Sequence, residues 1–542
     1  MHIEKNVCDN IISTILNVPG KSKDGINIRK DMVEHLNIRK ELAPQPRENG
    51  FFLPPGSYTL SKAEKKSFCE CLHGIKVPSG YASNIRNLVS LQDMKLIGLK
   101  SHDYHVLMQH LLPVALRGLL PDHVKHAIMR LSFFFNSICQ KVIHPEKLHA
   151  LQSKVVVTLC QLEMYFPPSL FDIMVHLVVH LVREVKMCGP VFLRYMYGME
   201  RHMGYLKSKV KNRCRPEVSI IRGLIDEEVI EFCTPYLTNV ESLGVPKSRH
   251  DDRLEGKGTL GKKQVKNVDN DLLGKAHLLV LHHLEVVHPY VQQHMNVLRS
   301  QFPLKSEIWL TKEHNRTFAS WFRDLIFNDT DNVYYDVNDD IKWLAYGPKR
   351  PIDSFEAYDI NGYTFYTTRQ DEKSVLHNSG VSVIASSTEY ASANDQNPLN
   401  ARLSYYGKIE DIWELNYTAR SFAIFKCQWV DIRRGVQCDD TGVTLVDFNR
   451  SGHRGDPFIL ASQAEQVFYV KDPSNERWSI CLPGKKKITC NFEDEEDDYV
   501  EEMPSLSIGM RETNIRYDHN EDDLPFIAHH NDGIEVLTEK AK

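Results

Sequence analysis

Apolar residues recur at helical spacing along most of the first half of the chain. Two short amphipathic segments lie within residues 4–39 and are separated by the turn-forming sequence PGKSKDG, so they predict a helical hairpin. From Ser101 to Tyr236 the helical spacing is almost continuous and predicts an all-α domain. Ser169 is the expected N-cap of a helix in this domain, with Asp172 three residues later in a box-like position.

The apolar spacing changes to alternation after Asn332. Residues 361–362 read Asn-Gly between strand-like runs, which is the strongest short signal for a β-hairpin. Residues 405–482 contain five strand-like runs separated by turn sequences, and these predict a small barrel or roll. Residues 491–542 are acidic and poor in apolar residues, which predicts a disordered tail.

Together these patterns predict an α+β multidomain protein, with an N-terminal all-α region followed by a small β-rich barrel or roll and a disordered acidic tail. Polar stretches that contain Pro, or Gly and Lys, separate the units. The predicted divisions are an N-terminal helical segment (1–45), a proline-bearing connector with helices (46–100), a helical domain (101–236), a flexible linker (237–275), a mixed helix and strand segment (276–400), a β-rich domain (405–482) and the tail (491–542).

Charge and hydropathy argue against a secreted or membrane-spanning protein. The formal net charge is -5, but acidic residues are concentrated from Glu493 to Glu502, so the body is close to neutral. The N-terminus lacks the apolar core of a secretory signal, and the most apolar stretch, Ile173–Val182, is about half as long as a bilayer requires. The 12 cysteines include no C-x-x-C pair, so reduced thiols are expected. We expect a nuclear or cytoplasmic protein with no membrane partner.

Glu200 stands directly before a run of alternating basic residues. One interpretation is a solvated helix face, because an acid near the start of a helix and bases near its end complement the helix dipole. The other is one carboxylate of a metal-dependent nucleic-acid site beside a phosphate-binding segment. The basic residues concerned are Lys207, Lys209, Lys211, Arg213 and Arg215.

His176 and His180 are four residues apart, so on a helix they share one face as two metal ligands would. Two ligands do not make a site, and the spacing favours a pair of hydrogen-bonded core histidines over metal ligands. Phosphate-binding glycine loops and the G-x-S-x-G elbow are missing from the sequence, which disfavours nucleotide-dependent enzymes and α/β-hydrolases. Aromatic residues of the β-rich segment are core candidates, with a peptide-binding groove as the alternative.

Several longer stretches carry a family resemblance. MHIEKNVCDNIISTILNVPGKSKDG, GLKSHDYHVLMQHLLPVALRG, MYGMERHMGYLKSKVKNRCRPE, HNRTFASWF, LAYGPKRPIDSFEAYDINGYTFYTT and VDFNRSGHRGDPFILASQAEQVFYVKDP occur here in that order. In this order they resemble the C-terminal portion of the large transposase of plant CACTA (En/Spm-like) DNA transposons. The resemblance runs from Met1 to about residue 482 and includes two plant domains of unknown function, one helical and one β-rich.

The resemblance implies an RNase H-like fold with two Asp and one Glu around two divalent ions, Mg or Mn. Glu200 matches the third acid, and His176 and His180 are similar to a motif that precedes it. In the family, the MHIEKN segment follows the second Asp, while the first Asp and a C-x-x-C pair lie further upstream. Residues 1–45 therefore resemble a remnant of the catalytic region, and we expect this chain to lack two of the three acids.

The expected function is that of a truncated transposase-derived protein without transposase activity and without a cofactor. Departures such as Val218 for Gly and Arg222 for Glu agree with such a remnant. One alternative is the C-terminal part of an active transposase whose start is mis-annotated. Another is a nuclear DNA- or chromatin-binding protein that holds DNA, such as transposon ends, with Lys207–Arg215 and a protein partner with the β-rich domain. The sequence does not predict the oligomeric state.

Overall fold

The computed structural model describes residues 2–82, 84–233, 236, 258–328, 339–389, 399–418, 420–439, 442–453, 455–486, 528, 532 and 534–537. Its first half is helical, as predicted from the apolar spacing. The helices there are α1 (His2–Ile15), α2 (Ile26–Glu34), α3 (Lys62–Gly74), α4 (Ser101–Val106), α5 (Leu112–Ala115), α6 (Asp122–Ile138), α7 (Lys147–Tyr165), α8 (Ile173–Leu177), α9 (Leu181–Cys188), α10 (Tyr197–Ser208) and α11 (Pro216–Cys233).

The second half is β-rich and also contains helices that pack on its sheet. The helices are α12 (Asn270–His283), α13 (His288–Gln301), α14 (Glu307–Asn328), α15 (Asp339–Tyr346), α16 (Thr368–Lys373) and α17 (Ile432–Gly435). The strands of the whole chain are β1 (Gln45–Arg47), β2 (Gly50–Leu53), β3 (Val89–Ser90), β4 (Lys95–Leu96), β5 (Gly258–Leu260), β6 (Gln264–Lys266), β7 (Ile352–Phe355), β8 (Ala357–Ile360), β9 (Tyr363–Tyr366), β10 (Gly380–Glu389), β11 (Leu399–Asn416), β12 (Ser421–Trp429), β13 (Val436–Cys438), β14 (Thr444–Val446), β15 (Phe458–Leu460), β16 (Glu465–Lys471), β17 (Ser479–Pro483) and β18 (Ile534–Leu537).

Helix α1 forms part of the main apolar core. Val7, Ile11 and Ile15 recur at intervals of four and are almost completely buried. They belong to one apolar cluster with residues of α5 and α6, such as Phe135. Arg39 holds the following segment in place, because its guanidinium donates to the main-chain carbonyls of Glu163 and Phe166 at the end of α7, each at 2.6 Å. The predicted N-terminal segment 1–45 thus packs as part of the helical domain.

The predicted cap at Ser169 is wrong. Pro168–Leu170 forms a 3₁₀ turn, so the next helix, α8, begins only at Ile173. Asp172 is its N-cap and accepts from the main-chain N–H groups of Met174 and Val175 at 3.0 and 3.2 Å. The other oxygen of Asp172 accepts from the Asn10 amide at 2.8 Å, which ties α8 to α1.

The β-rich region is larger than the predicted unit at 405–482. Its main sheet has ten strands in the order β13-β14-β17-β16-β10-β11-β12-β15, with β7 on β11 and β6 on β7. Strands β6, β7 and β10 all precede residue 405, so the sheet recruits the mixed segment. The predicted hairpin is confirmed, because β8 and β9 pair across Asn361 and Gly362, whose φ angles of 52° and 74° fit a two-residue turn.

Two segments predicted to lack structure contain strands in their described parts. Residues 237–257 of the linker and 491–527 of the tail lie outside the described residues. The remainder of the linker contains β5, β6 and the start of α12. Near the C-terminus, β18 pairs antiparallel with β2, with Ile534 opposite Leu53.

The helical and β-rich regions share a core. Leu445, Phe468 and Leu482 of the sheet lie in the same apolar cluster as residues of α1, α5 and α6. Arg117, just after α5, forms ion pairs with Asp439 and Asp472 of the sheet region. The aromatic residues Trp413, Trp429, Phe458, Phe468 and Tyr469 are buried, which confirms their interpretation as core.

Candidate functional site

Glu200 lies in the first turn of α10 and its side chain is exposed. Its main-chain N–H donates to the carbonyl of Met196 at 2.8 Å, so the residue is part of the regular helix. The carboxylate is therefore displayed on the surface near the positive end of the helix dipole. This placement suits both interpretations of Glu200, the solvated helix face and the contribution of one ligand to a metal site.

The basic run forms the turn between α10 and α11. Lys207 is in the last turn of α10, and the chain then bends before α11 begins at Pro216. Asn212 orders this bend, because its N–H donates to Ser219 Oγ at 3.1 Å and its side-chain oxygen accepts from the Cys214 N–H at 3.0 Å. The basic side chains with exposed surfaces are Lys207, Lys211, Arg213 and Arg215.

Lys209 differs from the other basic residues of this turn. Its side chain is half-buried, and its ammonium forms an ion pair with Glu227 of α11. The same ammonium lies 4.4 Å from the centroid of the Tyr205 ring, and the Tyr205 hydroxyl donates to Glu227. Lys209 therefore fastens α10 to α11, and only the other four basic residues are presented fully to solvent.

The α10–α11 hairpin stands away from the apolar cores. None of the side chains of α11 is buried. Ile221, Ile225 and Val229 each have more than half of their surface exposed, as do Met199 and Met203 on α10. Ile221, Ile225 and Val229 are spaced four residues apart, so they share one exposed face of α11. The basic turn is consequently the accessible tip of a projecting hairpin.

His176 and His180 lie on the surface and not in the core, so the core alternative for this pair is wrong. His176 is on α8, and His180 follows it in a 3₁₀ turn. Their Nε2 atoms are 3.3 Å apart and both side chains are exposed. Two nitrogens on one tetrahedral zinc ion, with bonds of about 2.05 Å, lie about 3.3 Å apart. The pair is thus spaced as two ligands of one ion.

The surface candidates do not meet in one metal site. Within the described residues, Glu200, His176 and His180 are in no group of three metal-ligating side chains whose ligand atoms lie within 4.8 Å of one another. Such a group is formed elsewhere by Glu4, His105 and Cys139. Sequence reasoning missed it because its members are far apart in the chain.

Two small cavities lie in the described part of the chain. One, lined by residues including Gln109 and Arg117, has a volume of about 10 Å³, and another, beside Lys266 and Asp411, has about 50 Å³. The first holds about one water molecule and the second a few. Neither of these two cavities is large enough for an organic substrate. No helix in the part of the chain that the structure covers combines the length and apolarity needed to cross a bilayer.

Two segments of the chain are similar to known protein families. Residues 138–251 match a family model described as a domain of unknown function, DUF4218. Residues 413–481 match a second domain of unknown function, DUF4216. Both domains are typical of plant transposase-derived proteins, and together they indicate a transposase-related protein. No curated protein and no solved structure matches the chain.

The first matched segment contains all the surface candidates. His176, His180, Glu200 and the basic turn lie between residues 138 and 251. The second match covers the end of β11 through most of β17, and it includes Val443, Phe468 and Ile480, which lie in the core shared with the helical region. The candidate site residues therefore all lie within the helical segment that matches the first domain of unknown function.

Proposed function

We propose that this chain is the DNA-holding part of a CACTA-type transposase-derived nuclear protein, with the turn between α10 and α11 as its DNA contact. The observation that carries the proposal is the concentration of Lys207, Lys211, Arg213 and Arg215 on one exposed turn. Lysine and arginine side chains bind DNA by neutralising phosphates and releasing counterions. The family resemblance and the two matched domains support DNA as the polyanion.

The shape of the hairpin favours phosphate contacts over base reading. The basic residues alternate along the chain and lie in the bend between α10 and α11. They therefore do not form one helix face that could enter a DNA groove. The acidic residues of α11, including Glu217, Glu227 and Glu231, repel phosphate and confine the contact to the tip. We therefore expect binding that depends strongly on salt and weakly on sequence.

Glu200 is proposed as one carboxylate ligand of a Mg or Mn site whose other acids come from outside the described residues. A two-metal mechanism needs several carboxylates to hold both ions, so Glu200 alone supports no strand cleavage. His176 and His180 are proposed as two of the four ligands of a zinc site, whose other ligands likewise come from outside the described residues. The exposure of all three side chains leaves them accessible to such partners.

Two forms of this proposal differ in activity. In one, the protein acts as a transposase remnant that binds DNA without cutting it. In the other, Glu200 works within a longer transposase that supplies two aspartates. Translation of the in-frame sequence upstream of Met1, followed by a Mn²⁺-dependent strand-cleavage assay of the longest product, separates them. Cleavage that is lost on Glu200→Gln supports the second form, and a longest product that lacks the aspartates and does not cleave supports the first.

The binding proposal is tested by the salt dependence of DNA affinity. Fluorescence anisotropy of a labelled duplex is measured with the whole chain between about 50 and 200 mM salt, where counterion release is readily seen. Four phosphate contacts predict a slope of log affinity against log salt of about -3.6, from about -0.9 for each contact. An affinity that does not change with salt, or no binding at the lowest salt, contradicts the proposal.

A further inference from the structure

The helical core contains a cluster of three different metal-ligating side chains. Glu4 comes from α1, His105 from α4, and Cys139 follows the last turn of α6. Their ligand atoms all lie within 4.8 Å of one another, and Glu4 Oε2 is 2.8 Å from His105 Nδ1. Three separate elements therefore deliver an oxygen, a nitrogen and a sulfur to one point.

The position of the cluster is unusual for charged groups. Glu4 is only 3% exposed, although carboxylates are seldom buried without a partner. It is reached by the Gln109 amide, which donates to its second oxygen at 2.8 Å. Cys139 and His105 are half-buried beside it. Burial of the Glu4 carboxylate costs desolvation free energy, and the carboxylate is buried at the place where a histidine and a thiol lie beside it.

A local departure from the α-helix aligns the ligands. Helix α4 continues into a π-helical turn, Leu107–Leu111, before Pro113 in α5. Proline has no N–H to donate to the preceding turn, and a π-turn accommodates such a break. Within this arrangement His105 and Gln109 both face Glu4. π-turns of this kind occur frequently at functional sites.

We propose that Glu4, His105 and Cys139 bind a divalent transition-metal ion, with Zn²⁺ as the best fit. Carboxylate oxygen, imidazole nitrogen and thiolate sulfur are the three ligand types that zinc takes in proteins. Zn²⁺ with one thiolate, one carboxylate and a neutral histidine carries no net charge, so the loaded site is compatible with a buried position. The Gln109 side-chain oxygen, after rotation of its amide, or a water molecule completes four-coordination.

The surroundings of the histidine support this assignment. The Tyr195 ring lies edge-on to His105, with the two ring centroids 5.5 Å apart. A group packed against a metal ligand in this way helps to fix the orientation of that ligand. The Glu4 to His105 contact of 2.8 Å must widen by about 0.5 Å when both atoms bind one ion, which side-chain rotation allows.

The same three residue types would also suit a nucleophilic cysteine with a histidine base, and the structure argues against that use. Burial raises the pKa of the Cys139 thiol to about 12, and the charge of Glu4 adds to the rise. A catalytic cysteine requires the opposite shift. A metal ion, in contrast, binds the thiolate directly and displaces its proton.

The test uses Co²⁺ as a spectroscopic substitute for Zn²⁺ on the full chain. Protein purified with a chelator is titrated with Co²⁺, and absorption is followed in the thiolate-to-cobalt charge-transfer and d–d regions. We expect both bands to saturate at one equivalent and to disappear when Zn²⁺ is added. Absence of a charge-transfer band in the unaltered chain overturns the proposal.

Variants locate the ion. Cys139→Ser should abolish the charge-transfer band, whereas Cys160→Ser, at an exposed cysteine of α7, should leave it unchanged. Glu4→Gln preserves the shape of the carboxylate and should weaken Co²⁺ binding at least tenfold, with circular dichroism reporting that the variant is folded. His176→Ala with His180→Ala should leave the band intact. A band that survives Cys139→Ser, or one that is lost with the surface histidines, overturns the assignment.

Discussion

The ammonium group of Lys209 forms an ion pair with the Glu227 carboxylate, which joins the end of α10 to the middle of α11. The contact separates Lys209 from the other basic residues of the turn, since its side chain is 13% exposed and theirs are largely in solvent. Its role is to hold the hairpin that displays them. A run of alternating lysines and arginines that looks uniform in sequence thus contains two kinds of residue.

This difference predicts unequal effects of two single substitutions on DNA binding. Lys211→Ala should reduce the salt slope of affinity by about 1, because one phosphate contact is lost. Lys209→Ala should change the slope by less than about 0.5 and should lower hairpin stability by up to about 1 kcal/mol, as for a partly exposed ion pair. Anisotropy titrations and urea unfolding provide the two readouts. A larger slope change for Lys209→Ala would show that its ammonium contacts DNA.

Arg117 should be among the most sensitive positions for stability. It bridges the helical and β-rich regions, and Asp472 beneath it is 2% exposed. Arg117→Ala leaves that carboxylate buried without its cation, which typically costs about 3–5 kcal/mol of unfolding free energy. Arg316→Ala removes a similar pair with Glu313 on an exposed helix surface and should cost less than about 1 kcal/mol. Equal urea midpoints for the two variants would contradict the view that Arg117 and Asp472 form a desolvated ion pair between the helical and β-rich regions.

Acid should destabilise the β-rich half through buried histidines. Burial lowers the pKa of His277, of His282 and of His314 to about 4, below the ordinary value of 6.5. Between these values the unfolded chain binds protons that the folded chain does not, so stability is full above about pH 6.5 and is lost as pH falls toward about 4. The thermal unfolding midpoint measured from pH 7 to pH 4.5 should therefore fall.

A matched pair of variants assigns part of this loss to one residue. His277 donates or accepts a hydrogen bond with the Tyr417 hydroxyl at 2.9 Å and lies in the core beneath β11. His277→Gln should reduce the pH dependence of stability by up to about 1.4 kcal/mol per pH unit. His283→Gln, at an exposed position of the same helix, is the control. If the unfolding free energy depends equally steeply on pH in both variants, protonation of His277 is not linked to unfolding.

Local signals in the sequence were sufficient where structure is set by near neighbours. The Asn361–Gly362 turn was predictable because few residue pairs accept positive φ at both positions. The helices of the first half followed from apolar spacing. The cap at Asp172 was missed, because the Pro168–Leu170 turn delays the helix start and both Ser and Asp make good caps.

Contacts between distant parts of the chain could not be predicted in this way. Nothing in the spacing of MHIEKN indicates that Glu4 lies beside His105, 101 residues later. Similarly, β18 joins β2 across nearly the whole chain, and β10 joins a sheet made largely of later strands. Such pairings depend on the complete hydrophobic core, which no short window contains. Glu200 and the basic turn were found from sequence, whereas the role of Lys209 required the position of α11.

The most direct test of the account is charge reversal at the tip of the hairpin. The variant carries Glu at positions 207, 211, 213 and 215 and keeps Lys209, so the hairpin remains fastened. The control carries Glu in place of four exposed lysines elsewhere, Lys40, Lys154, Lys312 and Lys373, and has the same net charge. The account predicts that the tip variant loses at least about tenfold in duplex affinity and about 3.6 in salt slope, while the affinity of the control changes by less than about threefold. Equal losses in the two variants, or no loss in the tip variant, would contradict it.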